Sequence, residues 1–177
     1  SMDAARIQAL EHAFGAALEV VQATKRPAVL LCRHSIRGPI PVDPARRDVP
    51  LLPEGVALCE SLGRRCGWSF ASGSTSPMRR CRDSLSAFAR GAGVAIEAEA
   101  TTLLGAPGAW IYDVDKAWNS YVESRKYELV ARQHRDPDGV PGYHSLDEGA
   151  ARLLAALHAR ADADGPHIAC SHDILMS

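Results

Sequence analysis

Apolar residues along this chain recur with two periods that alternate. Over 3–25, Ile7, Leu10, Phe14, Ala17, Leu18 and Val21 fall at helical spacing, and Pro27 closes the stretch. Ala28-Val29-Leu30-Leu31-Cys32 is then an unbroken apolar run of the kind a buried strand needs, which predicts a first strand over 28–33. Pro39, Pro41, Pro44, Pro50 and Pro53 make 38–53 an irregular loop. Helical spacing returns over 54–66, with Val56, Leu58, Cys59 and Leu62 on the apolar side and Gly63 and Gly67 marking the end. A short second strand is predicted over 68–72 and a third over 94–98. Between them lies a helix over 78–90, with Pro77 near its first turn and Gly91 and Gly93 stopping it. A helix over 146–161 begins with Asp147 and Glu148, whose charge suits the dipole there. A fourth strand over 167–171 ends at His172-Asp173.

Strands alternating with helices predict an α/β fold, a mainly parallel sheet covered by helices on both faces. With 177 residues the chain reads as one domain over 1–177. Residues 103–145 interrupt the alternation. A helix around 114–133, with Trp110, Tyr112, Trp118, Tyr121 and Tyr127 in or beside it, reads as a small cap insertion over the open edge of the sheet. The alternative is a peripheral helix that packs its aromatics onto the core. Asp173-Ile174-Leu175-Met176-Ser177 reads as the first turn of another helix, and one turn is not stable alone, so the C-terminal part of the fold is expected to lie beyond it.

Composition adds mainly exclusions. Hydrophobic residues make up 46% and charged residues 23%, as in an ordinary soluble globular chain. Twenty basic residues against 21 acidic ones leave a net charge of −1, so there is no electrostatic footprint for nucleic acid or an anionic membrane, and any anion site must be local. No stretch is long and apolar enough to span a bilayer. Cys32, Cys59, Cys66, Cys81 and Cys170 are odd in number and form no Cys-x-x-Cys pair, which points to a reducing, cytoplasmic compartment; a leader removed ahead of Ser1 stays open.

Candidate chemistry gathers at strand ends. The first strand runs into Arg33-His34-Ser35-Ile36-Arg37-Gly38-Pro39, a histidine between two arginines. Guanidiniums offer a planar, permanently charged fork for an oxyanion, and their charge disfavours a metal dication beside the imidazole. The second strand leads through Thr75-Ser76-Pro77-Met78-Arg79-Arg80-Cys81-Arg82 into a helix N-terminus, a natural anion site. The fourth gives His172-Asp173. In a parallel sheet these ends share one edge and can converge. A histidine at a strand terminus is more often structural, and His12, His134, His144, His158 and His167 are read so.

The ordered set resembles the histidine phosphatase superfamily, which contains phosphoglycerate mutase relatives and the histidine acid phosphatases. Residues 33–39 resemble the Arg-His-Gly-x-Arg-x-Pro motif of the acid phosphatase branch, with Ser35 in place of its glycine. Residues 75–80 resemble the family's Ser-Ser-Pro-Leu-x-Arg segment. Leu52-Pro53-Glu54-Gly55 fits the segment before its first helix, and His172-Asp173 matches the His-Asp pair of the acid phosphatases. The resemblance covers 28–98 and 167–173. It implies a phosphoglycerate mutase-like fold and a metal-independent phosphomonoester hydrolase, without cofactor, acting on a small phosphorylated metabolite. His34 would take the phosphoryl group, Arg33, Arg37, Arg80 and His172 would bind its oxygens, and Asp173 would protonate the leaving oxygen. Arg80 is preferred to Arg79 and Arg82 by motif register alone. In the mutase-like branch the proton donor is a glutamate beyond the third strand, for which Glu99 is the nearest candidate and Glu97 a weaker one. Ser35 would either narrow the site or add a hydroxyl to it. Lys116, Arg125, Lys126 and Arg132 are read as a solvated helix face or as contacts for further negative charge on the substrate. The remaining readings are a phosphomutase or phosphotransferase using the same phosphohistidine, a non-catalytic phospho-ligand binding module, and a His/Asp metal hydrolase. Oligomeric state is not legible in the sequence.

Overall fold

A computed structural model describes residues 4–41, 43–66, 70–161 and 164–173. Helix α1 (Ala4–Ala23) leads to strand β1 (Val29–Arg33), helix α2 (Pro53–Arg65), strand β2 (Ser72–Thr75), helix α3 (Arg79–Ala92) and strand β3 (Ala98–Ala100). Helices α4 (Val114–Arg135) and α5 (Leu146–His158) precede strand β4 (His167–Ser171). The four strands are all parallel in the order β1-β4-β2-β3, as the alternation of elements predicts.

Period-two alternation along the strands decides which core each side chain enters. Leu30 and Ile168 face α1, α2 and α3, where they join Leu18, Leu58, Leu62, Leu85 and Phe88. Ala169, with Val29 and Leu31 beside it, faces the opposite side and packs with Leu104, Ala109 and Leu153 of the α5 layer. Both faces of the sheet are therefore covered.

Two strands lie later in the chain than their apolar residues predict. The expected second strand over 68–72 includes Trp68 and Ser69, which fall outside the described residues, whereas β2 is Ser72-Gly73-Ser74-Thr75. Small polar residues make this a weak strand by propensity. They are held by pairing with β4 and by His167, whose Nδ1 lies 2.7 Å from Ser72 Oγ and Nε2 2.8 Å from Ser74 Oγ. The third strand, expected over 94–98, is Ala98–Ala100, because Gly73–Thr75 sets the register.

Gly63 and Gly91 do not end helices; they lie within α2 and α3 and let the two touch. A Cβ on Gly63 would stand 2.1 Å from the Phe88 carbonyl oxygen, and one on Gly91 would stand 2.0 Å from that of Glu60. Gly93 is the true stop of α3, at a left-handed φ of 69°. Helix α4 is two helical stretches joined at Arg125, which has φ 58° and ψ 167°. No described helix is long and apolar enough to cross a membrane. The expected turn of helix after Asp173 lies outside the described residues.

Candidate active site

Register brings the first and last motifs together. Arg33 of β1 is opposite Ser171 of β4, and the His34 N–H donates to the Ser171 carbonyl at 3.0 Å. The next residues on the two chains, His34 and His172, then meet edge to face with ring centroids 5.4 Å apart. On the other side of β4, Ser76 follows β2, its N–H bonded to the Cys170 carbonyl at 3.0 Å. Its hydroxyl lies 2.9 Å from His172 Nε2. Arg80 reaches in from the first turn of α3, with Nη2 3.4 Å from His172 Nδ1. An arginine can only donate, so His172 Nδ1 accepts there and its Nε2–H donates to Ser76. Cys81 Sγ lies beneath the ring, 3.6 Å from His172 Nε2.

His34 is buried, and its orientation is fixed by its own neighbour. Nδ1 lies 2.8 Å from the Ser35 carbonyl oxygen, which can only accept, so Nδ1 carries the proton and Nε2 keeps its lone pair. Burial pushes the imidazole down to about 4; the Ser35 carbonyl opposes this, and the charges of Arg33, His172 and Arg80 add to it. At neutral pH the ring is therefore neutral, with the lone pair of Nε2 free among cations.

Those cations are crowded. Burial lowers Arg37, and repulsion from Arg80 and Arg33 lowers it further. Arg80 is lowered chiefly by burial, against Cys81, Asp48 and Asp173, which favour its charge. Arg37 Nη1 donates to the Gly38 carbonyl at 2.8 Å and Arg80 Nη1 to that of Arg47 at 3.2 Å. The Nε–H groups of Arg37 and Arg80 are buried with no acceptor among the described residues. Buried donors of this kind are uncommon, and two on converging guanidiniums describe a site for an oxyanion.

Asp173 lies at the rim, its carboxylate 3.6 Å from Arg33 Nη2. Glu99 is directed elsewhere: its carboxylate pairs with Arg160 at 3.2 Å, and Glu97 is exposed. Arg79, the rival of Arg80, is exposed and paired with Asp83 at 3.4 Å. The expected anion site at the N-terminus of α3 is taken internally, because the Arg79 N–H donates to Asp48 at 2.6 Å. Sequence reading missed Asp48, whose role depends on how the proline-rich loop folds back.

Ser35 turns its side chain toward α2. Its hydroxyl donates to the Gly55 carbonyl of α2 at 2.8 Å, its N–H donates to Ser84 Oγ at 2.8 Å, and Ser84 Oγ donates to the Arg80 carbonyl at 2.7 Å. The residue that departs from the family motif thus ties the loop after β1 to α2 and α3.

Two cavities meet the cluster. One of about 1000 Å³ runs beneath α1 and touches Arg33, His34 and Arg37. The other, about 780 Å³, reaches Ser76, Arg80 and His172 from the side of α4. His134, read as structural from sequence, lines this second cavity. Lys116 pairs with Asp113 at 3.4 Å and Arg132 donates to Ser124, so both serve their own helix. Arg125 is exposed at the α4 junction, and the Lys126 side chain lies outside the described residues. Among the described residues, no three His, Cys, Asp or Glu side chains form a group that could hold a metal ion.

Comparison with known proteins gives one family. The family model for the histidine phosphatase superfamily (branch 1) matches residues 43–177. That span begins after the Arg33–Pro39 motif, and the model is not that of the acid phosphatase branch, which the motif resembles. The chain is similar in structure to phosphoglycerate mutase from Bacillus anthracis, with a TM-score of 0.54 and 13% identity over 86% of this chain and 78% of that one. It is also similar to a mycobacterial glucosyl-3-phosphoglycerate phosphatase, with a TM-score of 0.52 and 19% identity over 82% and 74% of the respective chains. No curated protein matches the chain by sequence.

Proposed function

The chain belongs to the histidine phosphatase superfamily, and on that premise we propose that it is a phosphomonoesterase acting through a phosphohistidine at His34. The observation that carries this reading is the fixed, unprotonated Nε2 of His34 beside the unpartnered donors of Arg37 and Arg80. Phosphoryl transfer spreads charge over three equatorial oxygens, and prealigned N–H donors stabilise that charge. In the first step His34 Nε2 forms a bond to phosphorus. The bond to the ester oxygen breaks, and that oxygen leaves with the electron pair and takes a proton from the Asp173 carboxyl. In the second step water attacks phosphorus, the P–N bond breaks, and Asp173 takes the proton from the water. Arg33, Arg37 and Arg80 hold the transferring oxygens throughout, and His172 joins them by turning its Nε2–H from Ser76 Oγ to an oxyanion oxygen. The guanidiniums supply the positive charge that stabilises the transferring group. Residues around α4 serve as the cap over the substrate. Five free thiols support placing the reaction in a reducing compartment such as the cytoplasm.

The test is turnover of phenyl phosphate, combined with rapid quench at high pH to trap an acid-labile phosphoprotein. Wild type should release inorganic phosphate with chelator present and form the phosphoprotein. His34→Ala should form none and lose at least about 10³-fold in kcat. A His34→Ala protein that keeps wild-type turnover would overturn the nucleophile assignment.

A further inference from the structure

The cavity on the α4 side has a wall chemistry that narrows the class of substrate. We propose, resting on the phosphatase reading above, that this site takes monoesters with a bulky apolar leaving group of about fused-ring size. Polyhydroxylated or carboxylated metabolites are then poor substrates.

Four observations carry this. First, the cavity's volume of about 780 Å³ is far larger than a phosphoryl group needs, and Ser76, Arg80 and His172 lie at one side of it. Second, apart from Arg47, Gln133 and His134 the rest of the wall is chiefly apolar or aromatic: Met78, Trp110, Ile111, Trp118, Val122 and Tyr143 are representative, and no Asp or Glu side chain lines the cavity among the described residues. Recognition of sugar hydroxyls relies on carboxylates and amides as paired donors and acceptors. The one amide in the wall, Gln133, is already spent on the backbone, accepting from the Val140 N–H at 3.2 Å and donating to the His144 carbonyl.

Third, large apolar side chains of this wall stay open to solvent. Val114 is 61% exposed, Val122 59% and Trp118 43%, three residues of a single helix bordering the cavity. Scattered exposed apolar residues mean little, but a contiguous set beside a polar anion pocket marks a ligand groove. Trp118 is also held in place: it stacks on Tyr121 with ring centroids 5.7 Å apart, and the Arg47 guanidinium lies 4.0 Å over it. Arg47 is thereby engaged with an aromatic face and is not presented as a receptor for a second anion on the substrate. Fourth, Trp110 is wedged against Gly149, where a Cβ would stand 2.0 Å from its ring. The ring is thereby fixed in place as one apolar side of the groove.

The test compares leaving groups of matched chemistry. Phenyl and 1-naphthyl phosphate release phenols of similar acidity, so their ratio reports the groove and not bond cleavage. Covering one more fused ring should raise kcat/KM about tenfold. Phenylethyl phosphate should exceed glycerol 3-phosphate by a similar factor, both leaving as primary alcohols. Trp118→Ala should raise KM for 1-naphthyl phosphate five- to tenfold and leave inhibition by inorganic phosphate unchanged. Binding of naphthylmethyl phosphonate against methyl phosphonate, followed by calorimetry, is independent of turnover and should show the same tenfold preference. Equal binding of the two phosphonates, or glycerol 3-phosphate turned over as well as phenylethyl phosphate, would overturn the groove. Preferential phosphonate binding without any turnover would instead overturn the catalytic reading and leave the groove standing.

Discussion

Ser35→Gly restores the glycine that the family motif carries at this position, and the structure predicts that this change lowers stability without improving the site. The Ser35 hydroxyl donates to the Gly55 carbonyl at 2.8 Å and is therefore turned toward α2. Losing that hydrogen bond costs about 1 kcal/mol. Glycine adds roughly 0.5–1 kcal/mol through the greater freedom of the unfolded chain. Together these amount to about 1.5–2 kcal/mol, or a fall in Tm of about 3–8 °C for a chain of this size. Ser35→Ala keeps the Cβ and removes the hydroxyl, so it should lose about 1 kcal/mol, which isolates the hydrogen bond. The Ser35 carbonyl that orients His34 and its N–H to Ser84 are backbone groups that both variants retain. Consequently kcat/KM on phenyl phosphate should stay within about threefold of wild type in each. Thermal unfolding by circular dichroism and steady-state phosphate release give the two quantities. An unchanged Tm together with a tenfold gain in kcat/KM for Ser35→Gly would refute the reasoning, because it would mean that the side chain had been narrowing the phosphate pocket.

The state of His34 can be read directly. Its pKa is depressed from 6.5 to about 4, so NMR should show one histidine in the Nδ1–H tautomer still neutral at pH 5, and a histidine at this position titrating near 6.5 would be inconsistent with the site. Linkage gives the sign for stability: between pH 6.5 and 4 the unfolded chain binds the proton and the folded one does not, so unfolding free energy falls with pH by up to about 3 kcal/mol across that window. His34→Asn should flatten this loss in urea unfolding at pH 7, 5.5 and 4.5, and parallel losses in the two proteins would refute it. The choice of Arg80 over its neighbour is equally testable. Arg80→Ala removes a buried donor beside His172 and should lower kcat/KM by about 10²–10³-fold, whereas Arg79→Ala, exposed and paired with Asp83, should stay within about threefold. Equal effects would refute the register.

The elements most legible in the sequence were those whose burial depends on apolar side chains. β1 and β4 are centred on the apolar stretches 29–32 and 168–170 and lie where those fall, and α1, α2 and α5 match their apolar spacing within a few residues. β2 was displaced because its burial rests on hydroxyls that bond to His167, a residue 93 positions away from Ser74, and no local pattern carries that information. β3 followed the error, being fixed by its partner and not by its own three exposed residues. Gly63 and Gly91 show the same limit: a helix stop and a helix contact both call for glycine, and only the crossing of α2 and α3 separates them.

The candidate site was more legible than the fold around it, for a topological reason. Two parallel neighbours whose ends carry Arg33-His34 and His172-Asp173 must bring those groups to one edge, and the ladder from Val29–His167 to Arg33–Ser171 does so without any loop geometry. Arg80 is similarly constrained, since it sits one turn beyond a strand paired to the other side of β4. Ser35 and Asp48 were not legible, because their partners lie on elements whose approach the sequence does not specify: Gly55 on α2 for one, the first N–H of α3 for the other. The same division applies to the two carboxylates considered for proton donor. Asp173 is carried to the rim by β4 itself, whereas Glu99, equally near a strand end, sits in β3 at the far edge of the sheet and is held by Arg160. Proximity to a strand end is thus not enough; the strand must be β4 or one of its two neighbours, β1 and β2, and β3 is neither.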